Sequence, residues 1–161
     1  LASCQNYRDG YYNAHALLAQ EDLDLVFFVG DYIYETGIGE GSIRQHEASG
    51  PETLPQYRNR YGRYKSDENL IAAHAAFPWV TTWDDHELVN NYAGLHLPNR
   101  TEEEVLTRRR AAYQAYYEHL PLRIPVPDDF GHIKIYRSFR IGDLANVCVL
   151  DTRQYRDPQP C

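Results

Sequence analysis

Residues 24–35 have the sequence DLVFFVGDYIYE, in which an apolar run ends at a glycine and an aspartate. A continuous apolar run of this length, bounded by glycine, predicts a fully buried strand of a parallel sheet. Asp31 directly follows the strand, where a carboxylate can hold a cation. Tyr34 can bring a phenolate to the same centre if a strongly Lewis-acidic metal lowers its pKa. The alternative is an ordinary polar loop with a packing tyrosine.

The rest of the chain alternates between helical and strand patterns, which predicts a mixed α/β fold. A strand end at 1–4, a helix at 10–19 and the strand at 24–29 indicate a βαβ unit. Thr101 and Glu104 form a capping box for a long helix. Further helices are predicted at 54–64, 69–77 and 101–119, a strand at 79–83, a surface loop at 36–51, and a hairpin from a half-buried strand at 133–141 and a buried one at 144–150.

A second polar turn follows the strand at 79–83. Residues 84–87 place three carboxylates and one imidazole in four positions (Asp84, Asp85, His86, Glu87). Adjacent carboxylates repel one another unless a cation or a set of donors compensates them. Oxygen and imidazole ligands suit hard or borderline metals. The alternative is a solvated acidic turn with a capping aspartate.

Polar residues recur where the predicted strands end: Cys4, Asp31, Asp84 and Asp151. Ligands of open α/β sheets bind at that edge, so several such residues together indicate a site. Cys4 on its own is more simply a buried structural cysteine. It becomes a candidate ligand if the βαβ unit brings it next to Asp31.

Composition restricts the function classes. The chain has 161 residues and a formal net charge of −7, which argues against a nucleic-acid scaffold as partner. No apolar run has the length of a membrane span, and no signal peptide is recognisable. Because methionine is absent, we expect a piece of a longer protein. Three cysteines are no disulfide framework; Cys148 is predicted to be buried, and the pairing of Cys161 stays open.

Six segments resemble the alkaline phosphatase D (PhoD-like) family in their order along the chain. They are SCQ (3–5), GYY (10–12), LVFFVGDYIYE (25–35), YRNRY (57–61), WDDHE (83–87) and LDTRQYR (150–156). The resemblance implies a secreted or periplasmic alkaline phosphatase, acting on phosphomonoesters or phosphodiesters. It also implies a metallophosphatase-like (calcineurin-like) mixed sheet sandwich flanked by helices. Residues 1–161 would then be the N-terminal part of one catalytic domain, truncated at both ends.

The resemblance also implies a centre that pairs Fe³⁺ with Ca²⁺. Cys4, Asp31 and Tyr34 correspond to the iron ligands, with Asp31 bridging to calcium. Asp85 corresponds to a second-metal ligand, and Asn91 is a rival oxygen donor. In this scheme the metals polarise the phosphoryl oxygens and hold a hydroxide for in-line attack. Further Asp and His ligands would come from beyond residue 161, so this chain would carry an incomplete, inactive site.

Two more residues are assigned to the substrate side. His86 would face the phosphate or the leaving group and stabilise the charge that develops there. Arg153, near the end of the last strand, is the candidate substrate-binding residue.

Other functions remain compatible with the sequence. A phospholipase or a nucleotide phosphodiesterase could use the same scaffold, and a non-catalytic, Tyr-rich extracellular binding domain could keep the fold without metal. Metal content separates the last possibility from the others. The natural substrate and the oligomeric state are not encoded in these patterns.

Overall fold

The computed structural model describes residues 1–37 and 39–160. Two parallel strands lie at its centre: β1 (Val26–Val29) and β2 (Trp79–Thr82), paired from Val26 opposite Trp79 to Val29 opposite Thr82. Ala2 makes a parallel bridge to Phe28 on the other side of β1. The first segment therefore runs beside β1 as predicted, although it forms only this bridge and no regular strand. All three carboxyl ends point to one edge.

The described residues form four α-helices, close to where the sequence predicts them. They are α1 (Asn13–Leu18), α2 (Leu54–Lys65), α3 (Glu68–Ala76) and α4 (Glu102–His119). The capping box of Thr101 and Glu104 is present, and a second one joins Thr53 to Gln56. Helix α2 packs on α4, and α1 packs on α3. The sequence-derived α/β class is confirmed.

The core is built largely from tyrosines. The chain has fourteen tyrosines. A tyrosine is usually half-buried, with its ring packed and its hydroxyl in contact with solvent. Seven of them are instead fully buried: Tyr32, Tyr57, Tyr61, Tyr64, Tyr92, Tyr113 and Tyr116. Several hydroxyls bond inside the core; those of Tyr92 and Tyr113 lie 2.6 Å apart. Helix α2 supplies three of the seven, so it provides both packing and hydrogen-bonding groups.

The hairpin at the end of the chain departs from its predicted burial. Strands β3 (Arg137–Ile141) and β4 (Ala145–Val149) pair antiparallel, which confirms the hairpin. Ile133 and Ile135 are buried but lie outside the regular strand. In β4 only Val149 is buried, and Cys148 is exposed, so both burial predictions for this strand were wrong. An apolar run indicates burial only where another layer covers it, and the described chain leaves this face open.

Beside this open face lies an apolar cavity of about 490 Å³, between the edge of β1 and β2 and strand β4. Phe27 and Val80 line one wall and Val147 the other. The predicted loop at 36–51 contains no helix or strand in its described part, and Ile38 and the pairing of Cys161 lie outside the described residues. None of the helices formed by residues 1–37 and 39–160 is both long and apolar enough to cross a membrane.

Candidate metal centre

The two polar turns meet because the parallel strands end side by side. Gly30 (φ +105°) follows β1 and lies against the turn after β2. A Cβ atom at this position would lie 2.4 Å from Cβ of Asp84, which no side chain tolerates. Glycine therefore allows the turns that carry Asp31 and Asp85 to approach, as the edge position of both motifs predicted.

A buried carboxylate then fastens the two turns together. Glu87 is 1% exposed and accepts three backbone N–H groups: Tyr32 at 2.6 Å on Oε1, and Asp31 at 3.2 Å and Asp84 at 2.9 Å on Oε2. Burial raises the pKa of Glu87 to about 8, while these N–H donors oppose the rise. Both oxygens are occupied by the backbone, so Glu87 holds the turns together rather than offering a metal ligand.

A thiol and a phenol converge on one oxygen of Asp31. The Cys4 thiol donates to Asp31 Oδ2 at 3.4 Å, and the Tyr34 hydroxyl donates to the same oxygen at 3.1 Å. Cys4 is exposed and free, which excludes the buried structural role considered for it. The three residues predicted to bind iron therefore lie together at the edge of the sheet.

Asp31 also belongs to a second group of donors. Ligand atoms of Asp31, Asp85 and His86 lie within 4.8 Å of one another. Asp31 is thus shared by the two groups. The neighbouring Asp84 is engaged elsewhere, since its Oδ1 accepts Arg153 Nε at 2.6 Å. Of the two adjacent aspartates, Asp85 belongs to this group of donors and Asp84 does not.

His86 is oriented by a buried glutamate that the sequence did not single out. Its Nδ1 lies 2.7 Å from Glu35 Oε2, and Glu35 Oε1 accepts the N–H of Asn90 at 2.8 Å. The imidazole also stacks on the Tyr34 ring, with centroids 4.1 Å apart. Burial opposes charge on the ring, but the hydrogen bond and charge of Glu35 outweigh it and raise the pKa of His86. Glu35 lies four residues after Asp31, a spacing that by itself carries no recognisable signal.

Arg153 and Asn91 both lie next to Asp85. Arg153 is 9% exposed, and its guanidinium pairs with Asp84 and places Nη2 3.3 Å from Asp85 Oδ1. Asn91 donates its backbone N–H to Asp85 Oδ2 at 2.6 Å and is itself exposed. The structure thus brings both predicted residues to the site, where Arg153 balances two carboxylates.

Asp151 is the strand-end residue that does not join the centre. Its Oδ1 accepts Trp83 Nε1 at 3.0 Å and the backbone N–H groups of Arg153 and Gln154. The carboxylate caps the turn that follows β4. Its contribution to the site is therefore indirect, because that turn positions Arg153.

Backbone strain is concentrated at the predicted ligands. Five non-glycine residues among those described have positive φ, and three are Cys4 (59°), Asp31 (57°) and Asn91 (59°). Such conformations are uncommon for residues with a Cβ and cluster at functional sites. This clustering is independent of the donor chemistry and points to the same edge.

The donor set fits a strongly acidic cation. Burial raises the pKa of Asp31, and burial together with the charge of Asp31 raises those of Tyr34 and Cys4. A bound cation would act in the opposite direction, because it stabilises the anionic form of each group. The thiol and phenol lie on one side of Asp31 and the carboxylate of Asp85 lies on the other, so the donors on the two sides differ in chemical type.

Comparisons with known proteins identify relatives of this chain. The model of a family described as PhoD-like phosphatase matches residues 1–161. Alkaline phosphatase D of Bacillus subtilis (strain 168) is 54% identical over 165 residues, which cover 98% of this chain and 28% of that protein. A solved structure described as "Structure of PhoD" matches with a TM-score of 0.94 and 54% identity, over 98% of this chain and 31% of that one. The chain spans less than a third of either relative.

Proposed function

Since the chain belongs to the PhoD-like phosphatase family, we propose that the protein to which it contributes is an alkaline phosphatase that hydrolyses phosphoric esters at an iron–calcium centre. The observation that carries the proposal is the convergence of the Cys4 thiol and the Tyr34 hydroxyl on one oxygen of Asp31. Thiol, phenol and carboxylate together form a donor set suited to Fe³⁺, and neighbouring oxygen donors suit Ca²⁺.

The proposed ligands divide between two cations. Cys4, Asp31 and Tyr34 would hold iron, and Asp31 and Asp85 would hold calcium, with Asn91 as a further oxygen donor. When bound, these cations would supply the positive charge that neutralises phosphoryl oxygens and the acidity that activates water. Further ligands would come from the rest of the longer protein.

The remaining polar residues would act on the substrate. Glu35 accepts the proton on His86 Nδ1, so Nε2 is the nitrogen left to face the phosphate. Glu35 raises the pKa of His86 against the opposing effect of burial, and a protonated imidazole here would donate to the leaving oxygen. Arg153 would orient a phosphoryl oxygen with the part of its guanidinium that the two aspartates do not occupy.

The complete fold and the cellular location are also part of the proposal. The β1–β2 pair and its helices would form one part of a calcineurin-like sheet sandwich, which the rest of the protein completes. The open, apolar face of β4 supports this, because a further layer would cover it. The family resemblance also supports a secreted or periplasmic location, which cell fractionation would test.

Metal analysis of the full-length protein tests the proposal directly. We expect tightly bound iron, and activity on a generic phosphomonoester that is lost on calcium chelation and restored by calcium. The physical reason is that clustered, buried acidic groups are unfavourable without cations. Full activity after exhaustive chelation and dialysis, with neither metal detected, would contradict the iron–calcium centre and favour a metal-free mechanism.

The colour of the protein tests the ligand assignment of Tyr34. A phenolate and a thiolate on ferric iron absorb visible light, so we expect the pure protein to be coloured. Replacing Tyr34→Phe should shift or bleach the band, whereas Tyr11→Phe, at an exposed tyrosine nearby, should leave it unchanged. An identical spectrum for wild type and Tyr34→Phe would remove Tyr34 from the ligand set.

A further inference from the structure

Cys4 and Tyr34 lie on two chain segments that share one anchor, the hydroxyl of Tyr64 in α2. Tyr64 Oη accepts the backbone N–H of Tyr7 at 3.3 Å and the backbone N–H of Tyr34 at 3.0 Å. Tyr7 lies three residues after Cys4, and Tyr34 carries the phenol itself. One buried oxygen thus joins the segment that presents the thiol to the loop that presents the phenol.

Helix α2 also holds Tyr34 by its carbonyl group. The Arg60 guanidinium donates to the carbonyl oxygens of Tyr34 and Thr36, and it pairs with Glu47 at 3.0 Å. Arg60 is 1% exposed. Both backbone polar groups of Tyr34 are therefore bonded to side chains of the same helix, one turn apart.

The position of Tyr64 is itself well determined. Its side chain is completely buried, and its ring packs on that of Tyr7 with centroids 5.4 Å apart. Burial raises its pKa to about 12, so the hydroxyl stays neutral at moderately alkaline pH. A side chain locked by packing on a helix fixes a site more precisely than one on a loop.

We propose that Tyr64 is a positioning residue of the metal centre, whose hydroxyl sets the separation of the Cys4 segment and the Tyr34 loop. Without it, the two segments lose their common anchor, and thiol and phenol no longer meet reliably at Asp31. The identity of the cation rests on the proposed function, whereas the connection through Tyr64 is a property of this chain. Outer-shell partners of metal ligands typically change metal affinity by about 10- to 100-fold.

The test compares Tyr64→Phe with Tyr61→Phe in the full-length protein. Tyr61 lies on the same helix and is equally buried, but its hydroxyl has no hydrogen-bond partner among residues 1–37 and 39–160. For Tyr64→Phe we expect iron affinity, measured by competition with a chelator, to fall about 10- to 100-fold, with a shifted visible band. Amide exchange at Tyr7 and Tyr34 in the metal-free protein should also accelerate. Tyr61→Phe should leave all three unchanged.

Different failures have different meanings. Faster exchange with unchanged iron affinity and spectrum would make Tyr64 a support of the fold only and overturn the proposal. If wild type binds no iron, the proposed function fails, while unchanged amide exchange in Tyr64→Phe would separately refute the anchor. If Tyr64→Phe does not fold, amide hydrogen exchange in the wild-type protein provides the test. The amides of Tyr7 and Tyr34 must then exchange much more slowly than other loop amides. Fast exchange at these two amides would overturn the proposal.

Discussion

A His86→Ala variant of the full-length protein should lose at least about 10²-fold in turnover while keeping its metals. His86 is held by Glu35 through Nδ1 and stacks on Tyr34, which leaves Nε2 to interact with the phosphate. Loss of the imidazole removes a positioned proton donor but none of the oxygen and sulfur donors. Turnover and metal content, measured on the same preparations, would check this.

Two further variants sharpen the test. Glu35→Gln keeps the size of the side chain but weakens the hold on Nδ1, so its effect on turnover should be smaller than that of His86→Ala. His96→Ala changes an exposed histidine outside the cluster and should resemble wild type. A ring nitrogen of His86 lies within 4.8 Å of carboxylate oxygens of Asp31 and Asp85, so all three could contact one cation. Loss of a metal together with activity in His86→Ala would therefore identify His86 as a ligand.

A Glu87→Gln variant should be the most destabilising single change at the site. The amide nitrogen would replace an acceptor oxygen and face at least one backbone N–H, whichever way the side chain is turned. A buried donor without an acceptor costs about 1–3 kcal/mol, so we expect the free energy of unfolding to fall by about 2 kcal/mol or more. The thermal midpoint of the metal-free protein would check this.

The same change should also reduce activity and metal retention, because Glu87 holds the backbone of Asp31 against that of Asp84. Glu118→Gln provides the matched control, since this glutamate pairs with Arg58 at the surface, where ion pairs contribute little. Equal midpoints for Glu87→Gln and Glu118→Gln would show that Glu87 does not hold the two turns together.

Local patterns predicted most of the elements. The apolar run of β1, the capping box of α4 and the turn between β3 and β4 are each determined by neighbours in sequence, and the structure has each of them. The meeting of Asp31 and Asp85 was also predictable, because parallel strands bring their carboxyl ends to one edge. These inferences needed only the strand assignments and one rule of sheet topology.

The side-chain roles that the sequence did not reveal depend on partners that are distant in sequence. Glu87 and Glu35 bond to groups 51–56 residues away, and no local spacing reveals such pairs. Asp151 follows a strand as Asp31 does, but its carboxylate accepts a hydrogen bond from Trp83 and does not join the candidate metal centre. The predicted burial of Cys148 was wrong for a related reason. An apolar sequence shows that a strand can be buried, but whether it is buried depends on the layer that packs over it.

The positive φ angles at Cys4, Asp31 and Asn91 bear on attempts to make this protein more heat-resistant. At such positions glycine relieves the backbone, and strain of this kind costs on the order of 1 kcal/mol or more. A screen that selects for heat resistance alone would therefore favour glycine where the donors are needed. At each of these positions a substitution that raises stability would remove a side chain proposed to bind metal. A library designed for thermal stability should therefore keep these three residues unchanged.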